Sequence, residues 1–271
     1  MAGQLTDCPA KVDCIVLAGD RRQGDPMAVS AGVPGKALVP VCGSAMLAHV
    51  LTTLCDWGPA GRIMVVAPRT DDYASVVEGC GIGQKKPMVM LEPGAGLVDS
   101  ILSAIDRCQT SRCLLLTADH VLLDRAWLET LMKAGDQHAA SLFLGLADWH
   151  KVTARFPGSR RTRYRFSDFS ACGTNLFLLN DTDGVRRILA LWQKVEQERK
   201  KPWRIVSLLG LANLTRYLAG RLSLQAAFSG LSERVGANIQ PVLIDDPLAA
   251  VDVDNADDLA MVERVLSERV A

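Results

Sequence analysis

The sequence predicts an α/β protein: a mostly parallel sheet with helices on both faces, in three layers, and extra helices toward the C-terminal end. Three observations carry this expectation. Apolar runs of strand length alternate with segments of helical period along most of the chain. The 271 residues are 49% hydrophobic and 22% charged, the balance of a chain that can bury its own core. No repeat and no Pro/Gly-rich linker divides the sequence. Residues 1–271 are therefore read as a single domain, with a basic insert at 147–171 and a helical elaboration at 182–235.

The elements follow in order. Val12–Leu17 is an apolar run of strand length, as a strand buried on both faces requires. Ala45–Leu54 places Leu47, Val50, Leu51 and Leu54 on one helical face. Strands are then expected at Arg62–Ala67, Met88–Leu91 and Arg112–Leu116. Each is followed by a helix, at Asp72–Glu78, Val98–Arg107 and Arg125–Lys133, the last capped by Asp124. Ala140–Leu146 and Gly173–Leu179 are further strands. Thr182–Arg199 repeats Val185, Ile188, Leu189 and Trp192 at helical spacing, and Trp203–Leu218 reads as two short helices around Gly210. Leu224–Val235 is another helix and Asn238–Ile244 another strand. The final helix begins at Asn255, an N-cap residue, with Asp257 and Asp258 in its first turn.

Composition removes several functions. Thirty basic and thirty acidic residues cancel, which argues against a broad nucleic-acid or membrane-surface binder. No run of about 18 apolar residues is present, and residues 1–7 lack the pattern of a secretory signal, so a cytoplasmic enzyme is expected. The eight cysteines include no C-x-x-C pair and no histidine at zinc-ligand spacing, and they read as free thiols in a reducing compartment.

Ligands of such sheets bind at the carboxyl ends of the strands, so the loops after Leu17, Leu91 and Leu116 hold the candidates. Leu17, Ala18, Gly19, Asp20, Arg21 and Arg22 form the first loop; its glycine can bring backbone N–H groups to phosphate oxygens, and its arginines add charge. Downstream, Lys36 can offset triphosphate charge, although Ala37 rules out a Walker A loop. Gly94, Gly96 and Ser100 can lie against a nucleobase and read its edge. Asp119 follows a wholly apolar strand, where a metal-bound phosphate would be reached. Asp252 and Asp254 share one side of an extended segment, and two carboxylates so placed repel unless a cation lies between them. Each loop alone also reads as an ordinary turn or cap.

Taken together, these segments resemble MobA-like NTP transferases. Leu17-Ala18-Gly19…Arg21-Arg22 and Lys36-Ala37-Leu38…Gly43-Ser44-Ala45-Met46-Leu47 resemble the signature L-A-G-G-x-x-x-R…P-K-x-L-x-x-x-x-G-x-P-M-L. Gly94–Ser100 resembles the base loop of cytidylyltransferases, and Thr117-Ala118-Asp119 the family's metal aspartate. Cys172–Phe177 resembles its later strand, and Val251–Leu259 its D-I-D-T-P-E-D-L close. The chain departs from the pattern at Asp20, where a second glycine is usual, and at Gly35, which separates the usual P-K pair.

The resemblance implies a Rossmann-like GT-A fold and a Mg²⁺-dependent nucleotidyltransferase. An NTP, with CTP or GTP favoured, would give its NMP to a phosphorylated small molecule and release pyrophosphate. Asp119 with Asp252 or Asp254 would hold Mg²⁺, while Arg21 or Arg22 and Lys36 would take up phosphate charge. Arg161, Arg163, Asn175 and Arg204 would hold the acceptor. Two rivals use the same fold: a glycosyltransferase taking a nucleotide sugar, and a nucleotide-binding regulatory protein without catalysis.

Overall fold

Alternation of side chains along the central strands splits the core into two layers, one on each face of the sheet. The computed structural model describes residues 11–19, 24–79, 86–158, 161–198 and 211–270. Strand β1 (Val12–Leu17) lies near the middle of the sheet. Its Cys14 and Val16 belong to the same buried cluster as Leu47, Val50 and Leu54 of α2 (Met46–Asp56) and Leu128 of α5 (Arg125–Gln137). Ile15 points the other way, into a cluster with Ile101 and Ala104 of α4 (Leu97–Ile105) and Val185 of α7 (Thr182–Glu198). β6 (Cys113–Thr117) divides likewise, Leu114 and Leu116 on the first face and Leu115 on the second. Each fully buried leucine of this kind contributes roughly 1.5–3 kcal/mol relative to an exposed one.

The remaining strands are β2 (Pro40–Val41), β3 (Ser44–Ala45), β4 (Ala60–Val66), β5 (Met88–Leu91), β7 (Leu142–Asp148), β8 (Tyr164–Arg165), β9 (Ser170–Leu179) and β10 (Ile239–Ile244). The main sheet runs β10-β7-β9-β6-β1-β4-β5, with β8 added on β9, while β2 and β3 form a small hairpin of their own. Pairs β1/β4, β1/β6, β4/β5 and β7/β10 are parallel; β9 runs antiparallel between β6 and β7. A mostly parallel mixed sheet was the expectation, and most element boundaries fall within two or three residues of those read from the sequence. The further helices are α1 (Pro26–Ala31), α3 (Asp71–Gly79), α6 (Trp149–Arg155), α8 (Leu211–Leu218), α9 (Leu224–Val235) and α10 (Ala256–Val270). The helix expected around 203–209 lies outside the described residues.

The amino ends of the central strands are fixed by a buried acid. Asp13 accepts hydrogen bonds from the backbone N–H groups of Gln109 at 2.5 Å, Thr110 at 3.3 Å and Arg62 at 3.3 Å. Its own N–H donates to Thr110 Oγ1 at 3.0 Å. The turn between α4 and β6 is thereby stitched to β1 beneath the site-bearing ends of the same strands.

The basic insert carries short elements of its own. Asp148 caps α6 by accepting from the His150 N–H at 2.8 Å, and Val152 is fully buried. β8 pairs with β9 at Tyr164 and Arg165. Both elements were missed in the sequence because neither is long enough to show a period.

Candidate active site

The loops that leave the carboxyl ends of the strands continue the sheet's hydrogen bonding by one rung before turning away. Ala18 donates to Val66 O at 2.9 Å, Ala118 to Leu17 O at 2.9 Å, and Ala67 to Leu91 O at 3.0 Å. Asp119 therefore emerges from a rigid rung just beyond β6. The segment before α10 is drawn beside it by a backbone bond from the Val253 N–H to Asp119 O at 3.1 Å. Val251 and Val253 are fully buried, so the alternation of an extended chain turns Asp252 and Asp254 toward Asp119. Ligand oxygens of the three carboxylates lie within 4.8 Å of one another.

Two cations and an amide hold these acids. Lys36 stands at the head of a short 3-10 turn whose Ala37 and Leu38 are buried. Its Nζ donates to Asp119 Oδ2 at 2.7 Å and to Asp254 Oδ1 at 2.6 Å. Burial alone would raise the Asp119 carboxyl, but the Lys36 charge and hydrogen bond outweigh it and hold the group below its ordinary range. Burial likewise disfavours the charged lysine, and the two aspartates reverse that, so Lys36 titrates above its usual value. On the other side, Asn175 Nδ2 donates to Asp252 Oδ2 at 2.9 Å. Arg161 forms an ion pair with Asp252, donates to its backbone O at 2.6 Å and pairs with Asp258 Oδ1 at 2.9 Å. Asn175 has φ 53°, a left-handed conformation that asparagine tolerates better than most residues.

Do these acids suit a divalent cation? The donors are all hard carboxylate oxygens, the class that Mg²⁺ prefers. Asp119 Oδ1 is buried and has no hydrogen-bond partner among the described residues, which leaves one lone-pair face for an ion. The set fits. No comparable cluster of His, Cys, Asp or Glu is found elsewhere among the described residues.

The loop after β5 is built by its own contacts. A Cβ on Gly94 would lie 2.7 Å from Asp99 Cβ and 2.9 Å from Ser100 N, so only glycine fits against the first turn of α4. Ser100 Oγ accepts from the Gly94 N–H at 2.9 Å and donates to Gly96 O at 2.9 Å, and the residue is 6% exposed. The hydroxyl thus helps to fold the loop that was expected to meet the base. A Cβ on Gly19 would come 3.3 Å from Pro93 Cγ, so the loops after β1 and β5 abut. Tyr73 of α3 donates to Ala18 O at 3.2 Å from beneath.

Beside the carboxylates lies a cavity of about 180 Å³, lined by Arg161, Thr162, Tyr164, Asn175, Asp252 and Asp254 among others. Asn175 and Arg161 both line it, and Arg161 is engaged with Asp252 and Asp258. Arg163 stacks over Trp149 at 4.2 Å and bonds Ser170 Oγ at 3.0 Å. The stabilising partnership of Arg161 with Asp252 and Asp258 was not foreseen; the partners are 91 and 97 residues away from it. Asp20, Arg21, Arg22 and Arg204 lie outside the described residues. His120 is 1% exposed, stacked on Trp127 with ring centroids 5.5 Å apart, and burial lowers it to about 4, so it stays neutral in the core.

The MobA-like NTP transferase domain family matches residues 14–197. Among solved structures, the chain is similar to a hypothetical transferase from Thermus thermophilus, at 28% identity and TM-score 0.73, covering 92% of this chain and 99% of that one. It shares its fold with CMP:2-keto-3-deoxy-manno-octonic acid synthetase complexed with CTP, at 14% identity and TM-score 0.59, covering 96% and 99%. The inositol-1-phosphate CTP transferase of T. maritima shares it too, at 12% identity and TM-score 0.56, covering 95% and 96%. No curated protein matches the sequence as a relative.

Proposed function

Because this chain belongs to the MobA-like NTP transferase family, we propose that it transfers a nucleoside monophosphate from CTP or GTP to a phosphorylated small molecule, with Mg²⁺. The observation that carries the reading is the convergence of Asp119, Asp252 and Asp254 within 4.8 Å, with Lys36 seated between two of them. CTP is the triphosphate to test first, since two of the fold neighbours carry it in their names.

The residues divide the work. Asp119, Asp252 and Asp254 would hold Mg²⁺, which supplies charge neutralisation to the phosphates of the bound nucleotide. Asn175 and Arg161 keep Asp252 aimed at that point. Lys36 is placed to exchange its carboxylate partners for the negative charge that builds on pyrophosphate as it leaves. The loop pinned by Ser100 offers backbone edges around Gly94 to the base. An acceptor phosphate is already ionised at neutral pH, so the attack on the α-phosphorus needs no general base, and catalysis rests on position and charge. The cavity beside Asn175, walled by Thr162 and Tyr164, is the acceptor's place in this reading, and residues 1–271 act as one domain.

The test is a pyrophosphate-release screen of four NTPs with Mg²⁺ against a panel of sugar, polyol and cofactor phosphates. Release with one NTP and one acceptor class supports the proposal. Tight NTP binding with no release across the panel would favour a regulatory protein. A nucleoside diphosphate released from a nucleotide sugar would favour a glycosyltransferase.

A further inference from the structure

At the opposite end of β6 from Asp119, two thiols face each other. Cys108 Sγ and Cys113 Sγ are 3.0 Å apart. That is closer than non-bonded heavy atoms ordinarily settle, about 3.5–4.0 Å for carbon, and about 1 Å longer than a disulfide bond. The approach is held by the fold and not by chance. Cys108 follows α4, Cys113 is the first residue of β6, and the four residues between them form the turn bonded to Asp13. Thr110 Oγ1 closes that turn on Arg112 O at 2.6 Å. Cys108 is half-buried, whereas Cys113 is 5% exposed.

We propose that Cys108 and Cys113 are a modification site: a dithiol that hydrogen peroxide or a related hydroperoxide converts to an intramolecular disulfide. The half-exposed Cys108 meets the oxidant first. Its hydrogen bond with Cys108, and then burial, push the Cys113 thiol up, so Cys113 is the sulfur that reacts second. The Cys108 thiolate attacks one peroxide oxygen; the O–O bond breaks, hydroxide leaves and takes up a proton as water, and a sulfenic acid forms. Cys113 gives up its proton as its sulfur attacks Cys108 sulfur; the S–O bond breaks, hydroxide leaves and takes up that proton as a second water, and the S–S bond forms. The two sulfurs lose two electrons and the peroxide gains them. A thiol reductant reverses the step by exchange.

The experiment uses the full chain, reduced, freed of reductant and treated with near-stoichiometric hydrogen peroxide. Free thiols are then alkylated and the protein is digested with trypsin without reduction. Arginines at 107, 112 and 125 place the two sulfurs on separate peptides, 108–112 and 113–125. The expected result is a joined species, two hydrogens lighter than the sum, that dithiothreitol separates and that C108S lacks. Recovery of both peptides as alkylated thiols would overturn the proposal. So would a Cys108 sulfinic acid without a partner, or either cysteine joined to a different one. C108S changes only a half-exposed side chain, so the comparison does not depend on the tighter Cys113 position.

Discussion

Replacing Lys36 with methionine tests whether the three carboxylates of the cleft sense one another. Their ligand oxygens lie within 4.8 Å, and Lys36 is the cation that bonds two of them. At an effective dielectric of about 20, two unit charges that far apart repel by about 3.5 kcal/mol. Asp254 is 58% exposed, so water screens much of its share. Asp252 keeps Arg161 and Asn175 in either protein. The cost left to K36M in the absence of metal is then about 1–2 kcal/mol. For a chain of this size, that corresponds to a fall in Tm of roughly 2–8 °C. Scanning fluorimetry in EDTA reads it directly. Added Mg²⁺ should raise the Tm of K36M more than that of the unaltered protein, because the ion supplies the missing positive charge. Pyrophosphate release should fall about 10²–10³-fold even at saturating Mg²⁺, since in the proposed reaction Lys36 would also take up charge on the leaving group. If K36M and the unaltered protein melt together in EDTA and respond equally to Mg²⁺, the carboxylates do not form a cation site and the mechanism built on them fails.

Three further outcomes are expected. D119N should lose on the order of 10³-fold in kcat, because it removes a metal oxygen with little change of shape, whereas R163A, which strips a guanidinium from Trp149, should leave kcat within a few-fold. The depressed Asp119 carboxyl contributes stability that is present above the ordinary aspartate value and is lost as pH falls through its lower folded value. D119N should accordingly be the less stable protein in urea at pH 7, and the two curves should converge in strong acid; a gap that persists there would contradict the assignment. S100A leaves the Gly94 N–H and the Gly96 carbonyl without their partner, at a cost of about 1–3 kcal/mol. The measurable effect is a several-fold rise in KM for the NTP with kcat nearly kept, and a kcat loss instead would give Ser100 a part in the chemistry.

Much of this was legible in the sequence because it is local. β1, β5 and β6 are apolar runs bounded by turn residues, and Asn255 caps α10 as read, accepting from the N–H groups of Asp257 and Asp258 at 3.0 Å each. Asp119 could be found because it follows a buried apolar strand, and the Asp252–Asp254 pair because alternate residues of an extended segment share a side. What the acids touch could not be read. Lys36 bonds Asp254 across 218 residues, and Arg161 reaches Asp252 and Asp258 from an insert whose arginines were expected to hold the acceptor instead. Gly94, Gly96 and Ser100 stand out in the sequence as one loop, but that the Ser100 hydroxyl bonds within it depends on the fold of Gly94 against α4. The helix α1 escaped notice because its six residues are too few to display a period, although Asp25 caps it through the Met27 N–H at 2.9 Å.

The reversed direction of β9 has a consequence for how such an enzyme could change its preferences. Because β9 runs against β6 and β7, its beginning lies where those strands end, and α6 and β8 stand at that end on the β7–β9 side of the sheet. Gly19 and Pro93, at the starts of the loops after β1 and β5, lie on the opposite side of β6. Lengthening, shortening or recharging the stretch that carries α6 and β8 would reshape one wall and spare the other, so recognition of two reactants can drift independently on one scaffold.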